Sequence, residues 1–154
     1  MVEIFKLLGV MVRSDLIWYY NSDYICQKRY SRLWMLRRLS KLGASESEML
    51  DVYQKQVRSV LELALPVWQA GLTQQEISQI ERVQRTALYI ILGENYHSYE
   101  NTLELLECDR LSDRRYKLCA NFVKKAAKHP QFQNCFCIHS DLSTNFETRS
   151  DKFT

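Results

Sequence analysis

The side chains that could act as metal ligands or nucleophiles in this 154-residue chain are few, and their spacing suits neither role. Cys119, His129, Cys135, Cys137 and His139 gather toward the C-terminus. Structural zinc sites pair their ligands as C-x2–4-C and H-x3–5-H. Cys135-Phe136-Cys137 is too close for that spacing, and Cys119 falls in mid-helix, so no metal is expected. His97 stands alone, without a neighbour for acid–base work, and reads as a surface residue. No Ser-His-Asp or Cys-His arrangement is legible, no Gly-rich phosphate loop occurs, and no two aspartates are adjacent anywhere. The expectation is a chain with no catalytic residues, no cofactor and no small-molecule substrate.

The other chemistry on offer is cationic. Lys28, Arg29, Arg32, Arg37, Arg38 and Lys41 crowd one predicted helix, and Arg82 and Arg85 lie on a later one. Net charge is only +3, but residues 1–44 hold eight Lys/Arg against three Asp/Glu, a local +5. Such a segment suits a polyanion, although a solvated helix face has the same composition. At about 100° per residue the six cations of the first helix spread round most of its circumference, so some of them must do something other than bind. The nearby aromatics Trp18, Tyr19, Tyr20, Tyr24 and Tyr30 could stack on bases, but interhelical packing is the commoner use of such side chains. Trp68, two residues after Pro66, reads as a core plug.

The elements that must carry these residues are mostly helical. Hydrophobic residues make up 46% of the chain, enough for a core, and only four Gly and two Pro interrupt it. Ile4 to Val12 is β-branched and apolar, and predicts one short strand with Gly9 inside it. Helical periodicity runs from Asp15 to Leu42 and stops at Gly43. Ser45 with Glu48, and Thr73 with Glu76, are capping boxes that open the next two long helices. The first of these ends or kinks at Pro66, and the second runs to Gly93. Shorter helices follow at about Tyr99–Glu107 and Ser112–His129, ended by Pro130. The expected fold is mainly α: a bundle of about five helices, a short N-terminal strand and a disordered C-terminal tail. The divisions are residues 1–14, 15–130 and 131–154.

The five cysteines are odd in number and scattered, which argues against a disulfide framework. Lys6 breaks the only apolar stretch near the N-terminus, and no run approaches the ~18 residues of a membrane span. An intracellular protein, cytoplasmic or nuclear and not secreted, is expected, with no membrane partner.

Several stretches, taken in order, resemble the thumb and following region of non-LTR (LINE-type) retrotransposon reverse transcriptases. Phe5-Lys6-Leu7-Leu8-Gly9-Val10 is similar to the K-x-L-G-[VI] strand leading from palm to thumb. Lys28 through Leu42 is like the basic helix that opens the thumb. Tyr53 through Glu62 with Pro66-Val67-Trp68, Ile80 through Ile91, and Tyr99-Glu100 through Arg115 resemble the segments beyond. The resemblance covers about residues 3–130, with departures at Ser59 (usually Pro), Leu63 (often Tyr) and Tyr89 (often Arg).

The resemblance implies that residues 1–14 are a remnant strand at a palm–thumb junction and 15–130 a thumb-like domain, without fingers, palm or endonuclease. Polymerases of this family hold two metal ions with a [FY]-A-D-D turn and a further Asp, and no such pair occurs here. The implied function is a catalytically inactive fragment, at most retaining sequence-independent binding of an RNA–DNA hybrid or duplex. The implied contacts are Lys28, Arg29, Arg32, Arg37, Arg38, Lys41, Arg82 and Arg85. The alternatives are a helical protein-interaction module, self-associating through a surface once covered by the palm, or a translated relic with no selected role.

Overall fold

A computed structural model describes residues 3–135. The chain divides into two compact units, Met1–Phe122 and Val123–Thr154.

The first unit opens on a hairpin rather than a lone strand. β1 (Ile4–Leu7) pairs antiparallel with β2 (Val10–Arg13), Phe5 opposite Val12 and Lys6 opposite Met11. Gly9 is not inside a strand but in the turn. Leu8 and Gly9 both have positive φ, +47° and +91°, the requirement of a tight two-residue hairpin loop. The largely apolar stretch concealed that turn, because Leu8 gives no sign of the left-handed conformation it adopts. Val10 is buried and the Met11 N–H donates to Asn21 Oδ1 at 3.0 Å, which ties β2 to the helix that follows.

That helix, α1 (Tyr19–Lys41), begins four residues later than its periodicity suggests. Leu16 has φ +55°, and Trp18 folds inward against Gly71. α1 is closed by Leu42 as its C-cap, with Gly43 in the left-handed region at φ +77°. The Ser45–Glu48 capping box is present and opens α2 as Glu46–Val52. α2 then passes through a π-helical segment, Tyr53–Arg58, and finishes on one α turn, Ser59–Leu61. Helix termination comes before Pro66: Ala64 is left-handed at φ +52°, and Pro66 sits in the first turn of a new short helix, α3 (Leu65–Trp68). Proline is tolerated there because its missing N–H has no partner to lose.

The Thr73–Glu76 box starts α4 (Gln74–Leu92), which ends at Gly93. α5 (Tyr99–Leu105) is capped by Ser98, whose Oγ accepts from the Asn101 N–H at 3.2 Å, and α6 (Leu111–Lys128) follows. The core lies between α1, α2, α3 and α4, with Tyr99 and Leu103 of α5 and Leu111 of α6 joining it. Leu33, Leu36, Val57, Leu61, Ile80, Val83 and Leu88 are fully buried in it. Trp68 is the largest of the buried side chains, and its Nε1 donates to the Leu63 carbonyl at 2.8 Å. It is the plug that the Pro66 context suggests.

The second unit, as far as it is described, holds the last residues of α6 and a 3-10 turn, Pro130–Cys135, where the His129 and Phe132 rings lie 5.5 Å apart. The tail expected to be disordered lies outside the described residues, apart from its start. No helix among the described residues is long and apolar enough to cross a membrane.

Gly71 gives the fold a direct test. A Cβ there would stand 2.4 Å from Trp18 Cδ1, so either the indole or the chain must move. Gly71→Ala is expected to cost about 1–3 kcal/mol, read as a lowered urea midpoint at unchanged slope. An unchanged midpoint would mean that Trp18 is not held against Gly71.

Candidate nucleic-acid interface

α1 and α4 form the largest helix–helix interface. They run in the same direction. Ser22 Oγ, near the start of α1, shares its proton between the Tyr19 carbonyl (2.9 Å) and Glu76 Oε1 (3.1 Å) near the start of α4. Further along, the Tyr30 phenol lies beside Thr86 and the Arg82 guanidinium; burial pushes that phenol up and Arg82 opposes the shift. Ser22 is thus level with Glu76, and Tyr30 with Arg82 and Thr86.

The cations of α1 divide into three groups by where this packing turns them. Arg29 is fully buried. Its Nη1 donates to the Gln56 carbonyl at 2.6 Å, so it holds α2 and is removed from any binding surface. A π-helical turn shifts backbone N–H groups from the i−4 to the i−5 carbonyl, which leaves room for an outside donor along it. Gln56 lies within that turn. Burial, with the nearby Arg32 charge, pushes the Arg29 guanidinium down to about 10, still protonated at neutral pH.

Lys28 and Arg32 lie roughly opposite Tyr30 on the wheel. Arg32 Nη1 reaches Gln56 Oε1 at 3.3 Å. The Lys28 and Lys6 ammonium groups both approach the Tyr24 ring and hydroxyl, and their hydrogen bonds push that phenol down.

Arg37, Arg38 and Lys41 form the third group. They share an arc of about 100° with Tyr30 and Trp34, and all five side chains are exposed. On α4, Arg82, Arg85, Thr86 and Tyr89 share a similar arc, with Arg82, Arg85 and Tyr89 exposed. Arg85 lies over the Tyr99 ring at 5.0 Å. Arg85, Thr86, Tyr89 and Tyr96 line a shallow recess in which the two tyrosines meet edge to face, 5.3 Å between centroids.

The inward side of α4 is polar as well as apolar. Tyr53 donates to Gln84 Oε1 at 2.7 Å, and Gln84 Nε2 donates to the Tyr99 hydroxyl and to the Asp109 carbonyl, both at 3.0 Å. Tyr99 in turn donates to Glu81, whose carboxylate accepts the N–H groups of Leu111 and Ser112 at 3.2 Å. Burial and the Glu81 charge push the Tyr99 phenol well above its usual range. Glu81 is therefore a structural cap on α6, placed where the helix dipole favours an anion.

Ion pairing sorts the cations further. Arg13, Lys55, Arg58, Arg110, Arg114 and Lys117 each stand beside a carboxylate. Among the described residues, Arg37, Arg38, Lys41, Arg82 and Arg85 do not. The exposed arcs of α1 and α4 thus carry five cations without an ion-pair partner among the described residues, interleaved with aromatics. Trp34 and Tyr89 were not singled out from sequence as part of it. The signal was there in the i, i+4, i+7, i+11 spacing of Tyr30, Trp34, Arg37 and Lys41.

Of the remaining sequence candidates, Trp18 is buried, Tyr19 and Tyr20 pack edge to face at 5.6 Å beside Arg13, and His97 is exposed. Among the described residues no three His, Cys, Asp or Glu side chains converge as a metal site would require. Cys137 and His139 lie outside the described residues. No known protein family, curated protein or solved structure matches the chain.

Burial predicts opposite outcomes for neighbouring arginines. Arg29→Ala leaves a cavity and removes the shorter of the two hydrogen bonds to the Gln56 carbonyl, and is expected to cost at least about 2 kcal/mol in urea denaturation. Arg38→Ala is expected to stay within about 0.5 kcal/mol of wild type. Equal effects would contradict the division of α1 into buried and open cations.

Proposed function

We propose that this chain is a thumb-like fragment of a reverse transcriptase of the non-LTR type, without polymerase chemistry, that binds nucleic acid independently of sequence. The observation that carries the binding part is the exposure of five cations without ion-pair partners, Arg37, Arg38, Lys41, Arg82 and Arg85, on the outer arcs of the adjacent helices α1 and α4. Phosphates are the ligand such a face suits, because each cation that neutralises one releases a condensed counterion. Phosphate contacts of this kind position a strand without reading its sequence. Arg29 has no part in it, and Lys28 and Arg32 lie on the other flank of α1.

A second reading, a protein-interaction module, rests on the hairpin. Ile4, Phe5, Leu7 and Leu8 are all exposed, Leu8 to 91%. Self-association of the free protein on sedimentation, unaffected by added nucleic acid, would favour that reading.

The test is fluorescence anisotropy of a labelled RNA–DNA hybrid at several salt concentrations. Engagement of all five cations gives a slope of log K against log salt of about −4.5. Arg82→Ala with Arg85→Ala should make that slope about two units shallower. Lys55→Ala, which removes a charge already paired with Asp51 at 2.6 Å, should leave it unchanged. Absence of binding to any nucleic acid at low salt, or indifference to the double variant, would overturn the proposal.

A further inference from the structure

We infer that the α1–α4 face takes single-stranded nucleic acid in preference to a closed duplex, with bases stacking on Trp34 and Tyr89 and phosphates lying along Arg37, Lys41, Arg82 and Arg85. This rests on the reading of the same face as a nucleic-acid interface, and specifies the form of the ligand.

The argument turns on what each form offers to the side chains present. A duplex presents phosphates and groove edges outward, while the flat faces of its bases are consumed in its own stack. Cations alone satisfy it. A single strand presents phosphates and free base faces together, and is gripped by cations interleaved with aromatic platforms. The α1–α4 face has that second composition. Trp34 is 60% exposed and Tyr89 58% exposed, although each belongs to a helix whose other flank is fully packed. One exposed aromatic on a surface needs no explanation. Here both open rings fall within the arcs that carry the unpaired cations, one ring on each of two adjacent parallel helices.

Trp34 lies between Tyr30 and Arg37/Arg38 along one helical stripe. Tyr89 closes the recess it shares with Arg85, Thr86 and Tyr96. From Tyr30 to Lys41 the stripe is roughly 16 Å long at about 1.5 Å per residue. At ~3.4 Å per stacked nucleotide that accommodates about five phosphates of one strand. Neither phosphate contact nor stacking reads the sugar, so RNA and DNA strands are equivalent ligands for this face.

The protein carries its own reporter. Trp18 is 7% exposed and Trp68 is fully buried, which leaves Trp34 as the indole open to solvent. A base stacked on it quenches its emission, so the wild-type chain can be titrated with unlabelled oligo(dT), oligo(U) and a blunt duplex of equal length. The expected result is saturable quenching by both single strands, each binding at least tenfold more tightly than the duplex. Trp34→Ala, at an exposed position that should not affect folding, is expected to weaken single-strand binding between about fivefold and 150-fold, the loss that one base–aromatic stack produces. Tyr89→Ala should act in the same direction, and duplex binding should be unchanged by either.

Equal or tighter binding of the duplex would overturn this inference and leave the nucleic-acid reading standing. So would single-strand binding, seen by anisotropy, that leaves Trp34 emission unmoved. Binding of neither form would remove the reading on which it rests.

Discussion

The organisation of this protein depends on the buried chain of hydrogen bonds from Tyr53 through Gln84 and Tyr99 to Glu81. It joins the π-helical part of α2, the middle of α4, the start of α5 and the start of α6. Each bond is worth only about 1 kcal/mol net. Leaving any of these groups buried without a partner is the larger penalty, so the arrangement tolerates few alternatives. Its main consequence is rotational. With Glu81 and Gln84 committed to the interior, α4 cannot turn about its axis, and Arg82, Arg85 and Tyr89 are obliged to face outward.

α1 is oriented by an equivalent device of opposite charge. Arg29 points into the core and meets a carbonyl of the π-helical segment, while Ser22 meets Glu76 at the other end of the same flank. A buried guanidinium is a poor source of net stability once its desolvation is counted. Its value here lies in fixing the helix's rotation, because only one orientation of α1 brings Arg29 to Gln56. That orientation puts Arg37, Arg38, Lys41 and Trp34 on the outer flank beside α4. The candidate interface is thus a by-product of two internal polar locks.

The distribution of carboxylates completes the picture. Glu62 is drawn toward Arg58 and Arg114, Glu100 toward Arg110, and Asp109 toward Lys117, and none of the three pairs with a cation of the α1–α4 face. A modest overall charge of +3 therefore coexists with a concentrated positive surface. Local charge separation of this kind steers a polyanion, whereas net charge by itself says little about a partner.

The amino-acid sequence by itself determined the features that arise within a few residues of one another. Both capping boxes, the stops at Gly43 and Gly93, the interior stripe of α4 and the plugging role of Trp68 follow from local propensity and periodicity. They are legible because the groups that satisfy each other are near neighbours in the chain. The hairpin turn was not, since Leu8 takes a left-handed conformation that its side chain disfavours. Nor was the π-helical segment, which has no sequence signature here. The division of the α1 cations was decided only by tertiary structure. Lys28, Arg29 and Arg32 are chemically equivalent to Arg37, Arg38 and Lys41 in sequence, and which of them meets water depends on a carbonyl 27 residues away. The pairing of Tyr30 with Arg82 and Thr86 likewise joins distant parts of the chain. A surface built from two helices exists only once those helices are packed, because no single segment contains it.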